Sequence, residues 1–387
     1  VIVIGVLAAF KAFGFVLDNI KRFIPYDGLQ SIPDWNLIAP LGISFYSFMM
    51  ISYLVDLYNG RISAQKNFFR YLSYVLYFPH VTQGPIARYE EVGYQLWEEH
   101  SFNMDTIMRG VWLMLWGFVK KIVIADRIGA FTKEIFGHTF DYHGGIFLAV
   151  GIAYSIQIYC DFSGCMDIVR GTSECFGIVL GENFRRPYFS QTLPEFWRRW
   201  HLSLGAFFRE YVFYPVSTSK LFLKLNVKIR DHLGNVIGKV FAASIPILCV
   251  WVLTGLWHGA HLNFLLWGLG LFAVLVVEKL WLKKYLDRWP VLGHLYMLVL
   301  IPVSWAVFSV SDFGQLGAYF GRLFPLFSRT AAAYPLDFLK YGKTYGVFLI
   351  LGLLCSTSLP AYLYRRLKGT WLGAIILAVL FWLCLYC

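Results

Sequence analysis

Trp257-His258-Gly259 sits in the middle of a run, Val240 to Val277, of 38 residues without one Asp, Glu, Lys or Arg. As a helix this run would extend roughly 57 Å at 1.5 Å per residue, against a hydrocarbon core of about 30 Å. It must cross and come back, or dip and return, with the imidazole near the fold-back. A titratable ring at membrane depth is expensive to place, which marks His258 as a functional residue. The alternative is a histidine satisfied by a carbonyl at a helix end. With an ordinary pKa of about 6.5, a histidine can take the proton from a hydroxyl as it attacks a carbonyl, a task typically worth about 10²–10⁴-fold in rate. His261 follows at metal-like i, i+3 spacing, but no carboxylate or cysteine lies nearby in sequence, so no metal is expected. The sequence also lacks a Gly-x-Ser-x-Gly elbow, which leaves a Ser-His-Asp hydrolase unsupported.

The elements that position this histidine are those of an all-α, polytopic integral membrane protein. Apolar residues make up 58% of the 387, charged residues 15% and aromatic residues 19%. A soluble domain carries about 25% charged residues, so this chain could not cover itself with polar surface. The net charge of +11 does not point to nucleic acid, because the Lys and Arg residues fall in short loops between spans. The seven cysteines (160, 165, 175, 249, 355, 384 and 387) lie mostly in apolar runs, as free buried thiols do. Candidate spans are 1–19, 37–57, 107–125, 145–160, 240–258, 262–277, 291–310, 345–363 and 370–387. The shorter apolar stretch 68–80, ending at Pro79, is a candidate re-entrant segment. The expectation is one membrane domain, 1–387, multi-pass in the cell membrane. Val1 and Cys387 both fall inside apolar segments, so it is expected to be cut short at both ends.

Charge sets an expected orientation. Lys279, Lys283, Lys284 and Arg288 crowd one loop, and Arg365, Arg366 and Lys368 another, which places both in the cytoplasm. Segment 311–344 then lies outside. Both feet of the 240–277 hairpin are basic and cytoplasmic, so His258 sits deep in the membrane or near its outer face. Residues 183–239 differ, being polar, aromatic and basic. Within them, Glu195 to Val212 at 100° per residue gathers Phe196, Trp197, Trp200, Leu204, Phe207, Phe208, Tyr211 and Val212 on one arc. Arg198, Arg199, Arg209, Glu195 and Glu210 fall opposite. The phase predicts an interfacial amphipathic helix on the cytoplasmic surface, with His201 inside its apolar arc. Such a histidine is ordinarily structural.

Six motifs follow one another in order. They are Pro40-Leu-Gly-Ile-Ser-Phe-Tyr46 with Tyr53-Leu-Val-Asp56; Phe78-Pro-His-Val-Thr-Gln-Gly-Pro-Ile-Ala-Arg88; and Lys120-Lys-Ile-Val-Ile-Ala-Asp126. Then come Gln157-Ile-Tyr-Cys-Asp-Phe-Ser-Gly164 with Glu182-Asn-Phe184, Glu195-Phe-Trp-Arg-Arg-Trp-His201, and Gly255-Leu-Trp-His-Gly259. From Pro40 to about Phe320 the chain resembles the membrane-bound O-acyltransferases, in the alginate O-acetyltransferase branch that also includes relatives modifying peptidoglycan and teichoic acids. Cys160 stands where many members have an aromatic residue, and the usual N-terminal spans are missing or shortened. The resemblance implies a helical core around a tunnel joining the two membrane faces. It implies His258 as the essential catalytic residue and His201 as the family's second histidine.

The expected activity is transfer of an acyl group, foremost acetyl, from a cytoplasmic thioester to hydroxyls of a cell-surface glycan. The donor is acetyl-CoA or an acyl-carrier thioester, and no bound cofactor is expected. In this branch an extracytoplasmic partner acyltransferase often completes the acceptor step. Arg198, Arg199 and Lys120 are candidates for holding the anionic donor, and Trp257, Trp200, Trp251 and Trp267 for the tunnel wall, although interhelical packing is the commoner use of such rings. His201 faces the thioester end or anchors its helix. Asp161 caps a turn at Phe162-Ser163 or orients a ring. Two readings compete: D-alanyl transfer to teichoic acid from a carrier protein, and a glycan or lipid transporter without chemistry. A transporter of repeated halves should show internal symmetry, and no such repeat is visible in the sequence.

Overall fold

The computed structural model describes residues 2–11, 13–24, 38–142, 144–259, 261–323 and 336–387. Among them every regular element is helical, and the one isolated bridge pairs Phe184 with Trp200. Four helices are long and apolar enough to cross a membrane, or up to six if each bent pair is one span. The protein is an all-helical, polytopic membrane protein. Contacts group it into two compact units, Val1–Glu98 with Ser203–Leu282, and Glu99–Leu202 with Lys283–Cys387.

In the first unit, Ile43–Tyr58 carries Phe48 to a buried cluster with Ile86, Leu204, Phe207 and Phe208, against which Phe45, Val250 and Trp257 pack. Asn67 starts the helix Phe68–Val75 by accepting from the backbone N–H groups of Phe69 and Arg70, which satisfies donors that have no partner inside the helix. The helix is short because the chain turns at Leu76 toward Pro79.

The second unit is built on Met104–Phe118 packed along the 31-residue helix Gly145–Cys175. Two pairs of glycines bring them together. A Cβ at Gly110 would lie 2.5 Å from the Gly171 carbonyl oxygen, and one at Gly117 would lie 2.5 Å from that of Gly164. The pairs recur after seven residues on both helices and run antiparallel, so the two backbones touch along two turns. Small residues do this in membrane helices, where close packing replaces the hydrophobic drive.

The structure corrects several expected boundaries. The span expected at 145–160 continues to Cys175. The expected basic loop at 279–288 is helical, part of an apolar helix Leu262–Arg288, with Lys283 paired to Asp287 one turn on. The helix ends where Pro290 begins the next one. The span expected at 345–363 is bent by 76° between Leu339–Cys355 and Leu359–Leu367. Of segment 311–344, residues 324–335 lie outside the described residues.

Candidate active site

His258 ends the membrane helix Ile237–His258, and Leu262–Val277 begins after His261. The charge-free run therefore does fold back at the histidine. The two helices can approach because Gly255 and Gly268 face backbone: a Cβ on either would lie under 3 Å from a carbonyl oxygen, of Phe264 and Trp251 respectively. Gly259 is extended, at φ 171°, and its lack of a side chain makes room for the Phe264 ring. The half-buried imidazole lies edge-to-face with Trp257 and Trp267, at centroid distances of 4.6 and 5.3 Å, with Phe264 at 6.2 Å. Trp251 packs on Trp267 at 5.7 Å and Trp257 stacks on Phe48 at 6.1 Å. His261 is exposed and starts the following helix. Among the described residues no group of three or more His, Cys, Asp or Glu could hold a metal ion.

The first two motifs meet the segment that follows His201 in one polar network of the first unit. Asp56, 4% exposed, accepts from the Tyr211 hydroxyl at 2.6 Å and from Arg61 at 3.1 Å. Glu210 pairs with Arg88 at 2.5 Å and with Arg61 at 3.4 Å. Burial and the Asp56 carboxylate hold the Tyr211 phenol above its usual range, so it remains a donor. Gly42, at φ 77°, is fitted to the loop of the second motif, since a Cβ there would strike the Val81 carbonyl oxygen. His80 in that loop, 1% exposed, lies edge-on to Tyr77 at 5.1 Å. Burial holds its imidazole at about 4, which makes it a neutral packed ring at physiological pH.

His201 lies in the second unit, and its surroundings correct the expected helix 195–212. Leu193–Trp197 and Leu202–Phe208 are separate helices, followed by a π-helical turn Arg209–Phe213. The break is at His201 itself, whose φ of 47° lies in the left-handed region that non-glycine residues rarely adopt. A bracket from the Glu182-Asn-Phe184 motif holds it there. The Arg185 N–H donates to the Arg199 carbonyl at 2.9 Å, and the Leu202 N–H to the Asn183 carbonyl at 3.0 Å. The Asn183 side chain, 2% exposed, directs its amide N–H to the Met166 sulfur at 3.0 Å and its oxygen to His201 Nδ1 at 3.4 Å. A carboxamide oxygen only accepts, so in this contact Nδ1 is the donor. Phe162 fixes the ring plane, edge-to-face at 4.7 Å. Strain held this firmly is found at functional sites. The predicted arcs still describe burial: Phe196, Trp200, Leu204, Phe207 and Phe208 are buried, while Arg198 and Arg209 are exposed.

The other sequence candidates divide. Trp200 is buried between Phe196, Phe184 and Trp305 at 5.5, 5.0 and 5.1 Å, a packing position. Arg199 pairs with Glu195 at 2.5 Å. Lys120 is 3% exposed and donates to Asp167 at 2.6 Å and to Ser163 at 3.0 Å. That ammonium is committed to a neighbouring helix, leaving Arg198 as the exposed cation of the three. Asp161 is not a cap. It lies inside Gly145–Cys175 and pairs with Lys121 at 3.0 Å. Sequence reasoning missed Asn183 as the partner of His201, although the motif was visible. It also missed Lys11, whose ammonium donates to the Trp257 carbonyl at 3.2 Å; its signal was a lone charge at the end of an apolar helix.

A model of the membrane-bound O-acyltransferase family matches residues 37–229. The "Probable alginate O-acetylase AlgI" of Pseudomonas syringae pv. tomato is 31% identical over 322 residues, which is 82% of this chain and 58% of that protein. The peptidoglycan O-acetyltransferase of Helicobacter pylori is 28% identical, over 80% of this chain and 60% of its own length. The teichoic acid D-alanyltransferase of Bacillus subtilis is 29% identical, over 65% and 63%. The chain thus spans about three-fifths of the length of these curated relatives. With the six motifs in order and the Trp-His-Gly histidine at the tip of an apolar hairpin, this chain belongs to the membrane-bound O-acyltransferase family.

Proposed function

We propose that the protein is an O-acyltransferase of the cell membrane. It moves an acetyl group from acetyl-CoA in the cytoplasm, through a tunnel across the bilayer, to a hydroxyl of an exported or cell-surface polysaccharide. The observation that carries this reading is His258, the titratable ring at the fold-back of a charge-free hairpin, walled by Trp257, Phe264 and Trp267. His258 takes the acceptor proton as the hydroxyl oxygen attacks the thioester carbonyl. The new C–O bond forms, the C–S bond breaks, and the thiolate leaves with the proton that His258 returns. His201 serves the acyl donor, with Arg198 attracting its phosphates. An extracytoplasmic partner acyltransferase assists the acceptor step.

Asn183 supports His201 in this scheme. Asn183→Ala should lower kcat roughly tenfold, the kinetic equivalent of one buried hydrogen bond of about 1.4 kcal/mol. Adding His201→Gln to it should cost less than the two single losses multiplied. Independent, multiplying losses in the steady-state assay would separate Asn183 from His201.

A second reading, D-alanyl transfer from a charged carrier protein, is favoured by the similarity to the Bacillus subtilis teichoic acid D-alanyltransferase. Reconstituted protein supplied with radiolabelled acetyl-CoA and either alginate-type or peptidoglycan-type fragments should label the glycan and release free coenzyme A thiol. Label passing from a D-alanyl-charged carrier, with acetyl-CoA inert, would favour the second reading. Vectorial glycan or lipid movement with neither donor consumed would point to the transporter.

A further inference from the structure

Lys11 closes the helix Ile2–Lys11, whose other nine residues carry no charge. The chain bends by 52° between this helix and Phe13–Lys21. At the bend the Lys11 side chain reaches across to the carbonyl of Trp257, the residue before His258. That carbonyl belongs to the last turn of its helix, where acceptors lack partners within the helix and the helix dipole is negative. The contact occupies one of the three N–H donors of the ammonium. Lys11 is half-buried and forms no ion pair among the described residues. A cation brought into an apolar wall with a carbonyl and no carboxylate is poorly compensated, and charge placed so in a membrane protein marks a site where negative charge is to be met.

We infer that Lys11 is a catalytic residue: held by the Trp257 carbonyl beside His258, its ammonium stabilises the oxyanion that develops on the acyl carbonyl during attack. The inference rests on the reading of His258 as the base. As the acceptor oxygen bonds to the carbonyl carbon and its proton passes to His258, the carbonyl π electrons move onto oxygen. Lys11 meets that charge with its remaining N–H groups and keeps all its own protons. When the C–S bond breaks the charge leaves with sulfur, which recovers the proton from His258. A fixed cation in a water-poor site stabilises such charge without reorganising at the moment of reaction.

The test measures kcat and KM for acetyl-CoA in reconstituted wild type, Lys11→Gln, Lys11→Arg, His258→Ala and the double variant Lys11→Gln/His258→Ala. Lys11→Gln can still donate to the Trp257 carbonyl but carries no charge. Its kcat should fall about 10²–10³-fold, with KM changed less than about twofold because only the transition state loses an interaction. Lys11→Arg should recover to within about tenfold of wild type, and the double variant should be no slower than His258→Ala alone, as for residues acting as a unit. An inserted Lys11→Gln with near wild-type kcat overturns the inference and leaves Lys11 as a helix cap. Should Lys11→Gln fail to insert, Lys11→Arg decides: an inserted Lys11→Arg that loses about a hundredfold shows that charge is not the contribution. Wild type without transfer from acetyl-CoA overturns the acetyl-transfer reading and this one with it, whereas active wild type beside an equally active Lys11→Gln overturns this one alone.

Discussion

Replacing His258 by alanine is expected to lower acyl transfer at least about a hundredfold, the loss that follows removal of a general base. The fold around it should persist. The imidazole packs against Trp257, Phe264 and Trp267, and the bond from Lys11 to the Trp257 carbonyl does not involve the ring. The variant should therefore insert and purify as wild type does. His261→Ala is the control, because that ring is exposed at the start of the next helix. It should stay within about twofold of wild type, as surface substitutions usually do. Near-wild-type turnover by an inserted His258→Ala would sink the assignment. Equal losses at both histidines would instead point to a ligand they share.

The second large effect is one of sidedness. Coenzyme A is anionic and does not cross a bilayer, so its point of entry is measurable. In sealed proteoliposomes of known orientation, acetyl-CoA should support transfer only from the face bearing Lys283, Lys284 and Arg365. Basic residues collect on the cytoplasmic side of membrane proteins, and the donor phosphates seek cations there. Donor confined to the other face should give at least about tenfold less transfer, given what it takes to bring charge through the hydrocarbon core. Equal rates from either face would end the cross-membrane mechanism, whatever His258 does.

Much of this was legible in order along the chain. The Val240–Val277 run is too long for one crossing and carries no charge, so hydrocarbon thickness called for a fold-back near His258, and the helices end and restart there. The phase of Glu195 to Val212 placed Phe196, Trp200, Leu204 and Phe207 inside and Arg198 and Arg209 outside, and burial follows it. The same phase assumed one continuous helix. Nothing near His201 signals a break: there is no proline or glycine between Glu195 and Leu204. The left-handed turn exists because Asn183, from an earlier motif, and Arg185 just after that motif bond to the backbone on either side of it.

Asp161 and Lys120 went astray for the same reason. Read locally, Asp161 looked like a cap and Lys120 like a cation free for phosphate. Each is answered by a residue of another helix, Lys121 and Asp167. Lys11 and the Trp257 carbonyl are separated by 246 positions, so no window along the chain could pair them. The glycines at 110 and 117 gain their packing role only where those at 171 and 164 meet them.

By itself, the sequence determined that the chain is a helical membrane protein, which histidine lies deepest in an apolar run, and the family to which its motifs belong. These follow from solvation and periodicity, properties each residue shares with its near neighbours. Only the tertiary structure decided where charges are neutralised, where the backbone is strained, and which cation lies beside His258. Those outcomes depend on partners supplied by distant parts of the chain, and a hydrogen bond or ion pair has no counterpart in composition or spacing.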